Sequence, residues 1–189
     1  GIDERKAVVN AIADAIEANG QELAQLLTQE QGKPIGDAMG EVFGTAAFFR
    51  YFTSLDLPVE VIDDSEGRRV EAHRKPVGVV GAIVPWNFPM ILMAFKVPPA
   101  LIAGNTVVLK PAPTTPLTSL KLAELIRDIV PAGVVNVITD ANTITASDDC
   151  QPTRIVGTAR IAIRSISFLV ALPSGSSLGS AAGQNPLAR

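Results

Sequence analysis

Three short β-branched runs, spaced by two segments of helix length, dominate residues 76–140. Val79 to Val84, Asn105 to Leu109 and Val134 to Ile138 read as strands. Met90 to Ala103, interrupted by Pro98-Pro99, and Thr115 to Ile129 read as helices. Continuously apolar strands are buried on both faces, and strand–helix alternation joins parallel neighbours. The order predicts an α/β fold whose centre is a partial Rossmann-like parallel βαβαβ sheet covered on both faces. Right-handed crossovers place the ends of the first two strands, Val84 and Leu109, on one rim. Open α/β sheets bind ligands outside such carboxyl ends, so function is expected there.

The same region must be tested as a membrane span, because Pro76 to Phe95 runs twenty residues without a charge. That length crosses a bilayer as a helix. Pro85 and Pro89 break such a helix, however, and Asn87 carries an amide that lipid leaves unsatisfied. The chain therefore reads as soluble, with no membrane partner.

Upstream, Val8, Val9, Ile12, Ala15 and Ile16 share one helical face within residues 5–19. Leu23, Leu26 and Leu27 do so in Gln21 to Gln31, as do Met39, Val42, Phe43, Ala46 and Phe49 in Ile35 to Phe52. Asn19-Gly20 and Gly32 with Pro34 punctuate these helices, which read as packing elements without chemistry. Residues 58–75 switch to period two: Val59 and Val61 flank Glu60, and Val70 and Ala72 flank Glu71. Asp63 to Gly67 then forms the turn of a hairpin. Its crowded acids lack a nearby histidine and read as a solvated turn, so no metal is expected. A two-stranded ribbon wants a partner sheet, which makes this hairpin the candidate contact of a homo-oligomer. The chain thus divides into a helical part (1–57), the hairpin (58–75), a partial dinucleotide-binding domain (76–140) and a divergent tail (141–189).

Sixteen basic and nineteen acidic residues give a net charge of −3, and no basic stripe is interleaved with aromatics. Nucleic acid is accordingly excluded as the expected partner. One cysteine excludes a disulfide framework within a monomer and a Cys-rich zinc site, and it suits a reducing, cytoplasmic compartment. The opening GIDERKAVVN carries charges and no apolar core, so no signal peptide is read. Residues 141–189 hold seven of the ten serines, none of the six lysines, and four arginines against Asp148 and Asp149. Periodicity survives there only briefly, from Ile161 to Leu172, and the tail is expected to be poorly ordered.

Two loops follow the two leading strands. Pro85-Trp86-Asn87-Phe88-Pro89 is a rigid turn presenting an amide donor, which suits a developing oxyanion. Lys110-Pro111-Ala112-Pro113-Thr114-Thr115-Pro116 places an ammonium at a strand end, which suits ribose hydroxyls or phosphate. Taken singly, Asn87 as a cap of the following helix and Lys110 as a solvent-facing charge account for these residues at least as well.

Together the motifs say more. GVVGAIVPWNFP, AFKVPPALIAGNTVVLKPAPTTP and PAGVVNVITD, between Pro76 and Asp140, resemble the coenzyme-binding region of the aldehyde dehydrogenase superfamily. VEVIDDSEGRRVEAHRKP and the helices before it resemble the segment preceding that region, so the likeness covers residues 1–142. The resemblance implies oxidation of an aldehyde to an acid with NAD or NADP. A cysteine attacks the carbonyl, hydride leaves to nicotinamide, and a glutamate-activated water releases the acyl group. It assigns Asn87 to holding the thiohemiacetal oxygen together with the cysteine's backbone, and Lys96 to a proton-relay path. Ile83, Val84, Pro85 and Trp86 would line the coenzyme channel, and Lys110 would bond the adenosine ribose, with Ala112 and Pro113 in the same cofactor loop. Pro113 stands where many NAD-preferring members carry a glutamate, which implies that NADP is tolerated.

Departures from the family pattern begin after the third strand. Ile166-Ser167-Phe168 echoes the strand that the family ends in Phe-Thr-Gly-Ser, but Leu169-Val170-Ala171 follows. Gly179 to Gly183 echoes a later stretch, and such islands imply a displaced reading frame or a degraded copy between residues 143 and 178. No residues match the family's glutamate in its Glu-Leu-Gly-Gly context or its catalytic cysteine. Cys150 has no basic partner in sequence to lower its pKa, and His73 reads as a solvent-facing strand residue. The chain is therefore expected to be a truncated piece of such a dehydrogenase, inactive alone. A non-enzymatic dinucleotide-binding or subunit-pairing module and a nonfunctional fragment are the alternatives. Three parallel strands would also leave an open, pairing-prone edge.

Overall fold

The computed structural model describes residues 1–139 and 170–172. Helices α1 (Ile2–Ala18), α2 (Gly20–Gln31) and α3 (Ile35–Thr53) open the chain. Gly32 ends α2 in the left-handed region at φ 87°, where a side chain is strained, and Pro34 then sets the entry to α3. The buried stripes are Val9, Ile12, Ala13 and Ile16 on α1, Leu23, Ala24 and Leu27 on α2, and Ala38, Val42, Ala46 and Phe49 on α3. One expectation on α3 is corrected. Phe43 lies 49% exposed, its ring against Gly20, while Glu41 and Thr45 share the buried stripe instead.

The hairpin forms from β1 (Glu60–Ser65) and β2 (Arg68–Ala72). Its turn is tighter than expected, because Asp63 and Asp64 belong to β1 and ion-pair with Arg68 and Arg69 at 3.3 and 3.1 Å. A register shift between Val61 and Asp63 leaves Ile62 66% exposed. His73 falls just past β2, exposed and 2.9 Å from Glu71.

The remaining elements are β3 (Val79–Ile83), α4 (Pro89–Ala94), α5 (Val97–Ile102), β4 (Thr106–Lys110), α6 (Leu117–Leu125), β5 (Val135–Val137) and β6 (Val170–Leu172). The sheet order is β5-β4-β3-β6; the first three are parallel, as expected, and β6 runs antiparallel along the outer edge of β3. That edge is therefore paired. The single helix expected from Met90 to Ala103 is two, broken at Phe95-Lys96 rather than at the prolines. Pro98 and Pro99 sit in the first turn of α5, where a missing N–H removes no intrahelical bond.

Burial alternates along the strands. Val80, Ala82, Val107 and Leu109 are buried, whereas Val79, Gly81, Ile83 and Val108 are only partly covered. Ile12, Phe49, Met93, Val97 and Leu122 meet Leu109, Val135 and Val137 around one small interior void. Helices of both kinds, N-terminal and connecting, therefore pack on the same sheet face. Among the described residues the cover expected on both faces is complete on one only.

Asn105 fixes where β3 begins. Its Oδ1 accepts the N–H groups of Val77 (2.7 Å) and Gly78 (3.0 Å), and its Nδ2 donates to the Ala100 carbonyl at 3.1 Å. The readings that fell on 140–169 and 173–189 lie outside the described residues. These include Cys150, the Ile166–Phe168 and Gly179–Gly183 echoes, the displaced frame and the ordering of the tail.

Candidate functional site

Ile83 pairs with Lys110 across the parallel ladder, and the Val84 N–H donates to the Lys110 carbonyl at 3.0 Å. The loops that follow β3 and β4 therefore start side by side on one rim. In the first loop Val84 keeps its side chain in the core, whereas Pro85, Trp86, Asn87 and Phe88 are exposed, Trp86 by 60%. In the second, Thr115 N–H closes a turn onto the Ala112 carbonyl at 3.1 Å, leaving Ala112 and Pro113 partly exposed.

Position bears on both alternatives left open by the residues alone. Lys110 does not project freely into solvent: the residue is 8% exposed, and among the described residues no acceptor takes its ammonium. Asn87 does not cap α4 either, since Phe88 holds the N-cap position. The amides of Met90 and Ile91 are taken instead by Glu41 Oε1, at 2.8 and 3.2 Å. Among the described residues the Asn87 carboxamide has no hydrogen-bond partner, while its backbone carbonyl accepts from Gln31 Nε2 (2.9 Å) and Lys33 Nζ (3.3 Å). The side chain is thus available on an anchored main chain.

Lys96 follows α4 and reaches back to donate to the Ile83 carbonyl, the last residue of β3. Burial holds its ammonium below the usual lysine range. The second loop is pinned from α2: Glu30 accepts from the backbone N–H groups of Leu117 (2.6 Å) and Thr118 (3.1 Å) and from the Thr118 hydroxyl. Such a carboxylate satisfies the first amides of α6 and meets the positive end of that helix.

Glu30, Gln31, Lys33 and Glu41 escaped the reading of the sequence. Their partners in the two loops and the helices after them lie 49 to 88 residues further along the chain. Only Glu41 left a trace, as a charge in phase with Ala38, Val42 and Thr45 on the buried stripe of α3. No cluster of metal-ligating residues occurs among those described. A hollow of about 290 Å³ opens at the amino ends of the strands, beside Arg5, Leu101, Asn105 and Pro131. None of the expected site residues line it. Chemically, the rim offers a carboxamide donor and an ammonium that are both unpaired among the described residues, and an exposed indole face, which together suit a polar ligand with an aromatic part.

Comparison with known proteins agrees with the resemblance. The sequence profile described as "Aldehyde dehydrogenase family" matches residues 1–170. The 3,6-anhydro-alpha-L-galactose dehydrogenase of Streptomyces coelicolor is 46% identical over 137 residues, covering 71% of this chain and 28% of that protein. The NADP/NAD-dependent aldehyde dehydrogenase PuuC of Escherichia coli is 44% identical over 140 residues, covering 72% and 28%. PnpE of Pseudomonas sp. WBC-3, solved also in complex with nicotinamide adenine dinucleotide, superposes with a TM-score of 0.70 at 45% identity, covering 74% of this chain and 29% of PnpE. The chain spans under a third of the length of each of these relatives.

Proposed function

The chain belongs to the aldehyde dehydrogenase family, and on that premise we propose that its rim binds NAD or NADP for the oxidation of an aldehyde to a carboxylic acid. The observation that carries this reading is Lys110: a largely buried side chain whose ammonium has no acceptor among the described residues, at the carboxyl end of β4 beside the Trp86–Asn87 loop. A dinucleotide supplies hydroxyl and phosphate oxygens for that ammonium and a flat ring for the indole. When bound, it accepts the hydride.

The chain's own residues then divide the work. Lys110, with Ala112 and Pro113 beyond it, holds the adenosine ribose, and Ile83, Val84, Pro85 and Trp86 form the wall along the dinucleotide. Pro113 presents no carboxylate, so a 2′-phosphate meets no repulsion and NADP is tolerated. The Asn87 carboxamide donates to the aldehyde oxygen as negative charge gathers on it, an interaction stronger in the transition state than before it. Lys96 holds a proton at Nζ against the Ile83 carbonyl, and its lowered pKa makes that proton easier to pass on. No residues match the family's cysteine and glutamate motifs, so the 189 residues by themselves bind dinucleotide without turnover. The exposed Val59, Val61 and Ile62 of the hairpin favour pairing with a second copy. The single cysteine fits a reducing compartment such as the cytoplasm.

Titrating NADP and NAD against the emission of Trp86, the only tryptophan, tests the reading. Saturable quenching is expected with both, weakened about tenfold by Lys110→Ala, the effect of roughly one charge-assisted hydrogen bond. Absence of saturation at millimolar dinucleotide, or an unaltered Lys110→Ala titration, overturns it. Reduced dinucleotide formed from an aldehyde by the purified chain overturns the claim that turnover is lacking.

A further inference from the structure

We infer that Glu41, with Lys33 as its counter-ion, is a positioning residue that anchors the Asn87 loop from the helical layer. Helix α4 has six residues and no side-chain cap of its own, yet Met90 is fully buried and its N–H needs an acceptor. Glu41 reaches across from α3 to supply it. One carboxylate oxygen accepts from Met90 and Ile91, and the other contacts the Lys33 ammonium. The Glu41 side chain is 1% exposed and that of Lys33 9%.

Lys33 carries the anchor one step further. Its ammonium also donates to the Asn87 carbonyl and stands 4.2 Å from the centroid of the Phe88 ring. The pair therefore touches four of the five residues from Asn87 to Ile91. Both members sit on rigid supports. Gly32 and Pro34 fix the turn that carries Lys33, and Ala38, Val42 and Phe49 lock the face of α3 that carries Glu41. The mutual attraction of a buried ion pair is often matched by apolar packing of similar volume, so it does not by itself explain the pair. Apolar packing would not supply an acceptor for two amides and a donor for the Asn87 carbonyl. What the ion pair adds is direction: it fixes the main chain from which the Asn87 carboxamide and the Trp86 indole project. The consequence for catalysis rests on the proposed function; the anchoring itself does not.

Amide hydrogen exchange and 15N relaxation of the full chain test this with three variants. Glu41→Ala is expected to lower protection at Met90 and Ile91 about tenfold to a hundredfold relative to Val107 and Leu109 of the sheet, the loss of hydrogen bonds to a charged acceptor. Glu41→Gln, which keeps an acceptor, should restore most of that protection. Lys33→Met combined with Glu41→Gln removes both charges without leaving either buried alone, which guards against simple unfolding. In it the order parameter of the Asn87 amide should fall from about 0.85 to below about 0.6 while the strands stay rigid, and NADP should bind several-fold more weakly. Unchanged protection at Met90 and Ile91 in Glu41→Ala overturns the inference. So does loss spread evenly over β3 and β4, or an unaltered Asn87 amide in the double variant. A parent chain that fails to bind NADP overturns the proposed function instead, and exchange and relaxation still decide the anchor.

Discussion

Asn105→Ala should be the most damaging substitution of a polar residue outside the rim, and its size follows from three hydrogen bonds. Asn105 is 8% exposed, accepts from Val77 and Gly78, and donates to Ala100. A net hydrogen bond contributes about 1 kcal/mol, and a buried group left without a partner costs about 1–3 kcal/mol. The three do not count equally. Val77 is 42% exposed, so water can replace the lost acceptor at its amide. The Ala100 carbonyl keeps the Asn105 backbone N–H at 2.9 Å. Gly78 is the group with no ready substitute. The expected loss is therefore about 2–3 kcal/mol, below the sum of three full penalties. Asn136→Ala is the control, because Asn136 is exposed and makes a single local bond to the Gly133 carbonyl at 2.9 Å. Its expected effect is within about 0.5 kcal/mol. Urea unfolding followed in parallel by far-ultraviolet circular dichroism and Trp86 emission measures both, at an unchanged denaturant slope. If Asn105→Ala unfolds within about 0.5 kcal/mol of the parent, or no more easily than Asn136→Ala, the claim that this side chain fixes the start of β3 is wrong.

Phe49→Ala should destabilise by about 3–5 kcal/mol in the same assay, because the ring is fully buried where α3 meets α1 and the connecting helices. A loss under about 1 kcal/mol would mean that this core is not packed as described. Pro113→Glu should weaken NADP relative to NAD by about tenfold in the Trp86 titration, the effect of roughly 1.4 kcal/mol of like-charge repulsion; equal weakening of both dinucleotides would count against Pro113 facing the ribose. Lys96 supplies a pH dependence. Burial lowers its pKa from 10.5, so between the folded and unfolded values the unfolded chain binds more protons, and stability rises with pH through that window. Lys96→Met should flatten the rise in urea midpoint on the alkaline side, and a slope the same as the parent's would contradict the burial of that ammonium.

Local chemistry accounts for what could be read without coordinates. Helix and strand betray themselves by period, so α1 to α3, the hairpin and the three parallel strands follow from where Val, Ile and Leu recur. Connection order then puts the Asn87 and Lys110 loops on one rim, since parallel neighbours share a direction. What holds those loops was not legible. Glu30 and Glu41 complete helices that follow them in sequence by 49 residues or more, and a carboxylate in an isolated helix carries no mark of the amide it will meet. The same limit explains Phe43 and Glu41 exchanging places on α3. Both fit the helical period, and only the presence of the buried Met90 amide and the Lys33 ammonium makes the charged one favourable inside. Tertiary structure also chose which sheet face the helices cover and brought β6 antiparallel to β3. Periodicity determines which side of an element is apolar. Which element lies against it, and which distant group satisfies its polar atoms, is settled only when the layers close.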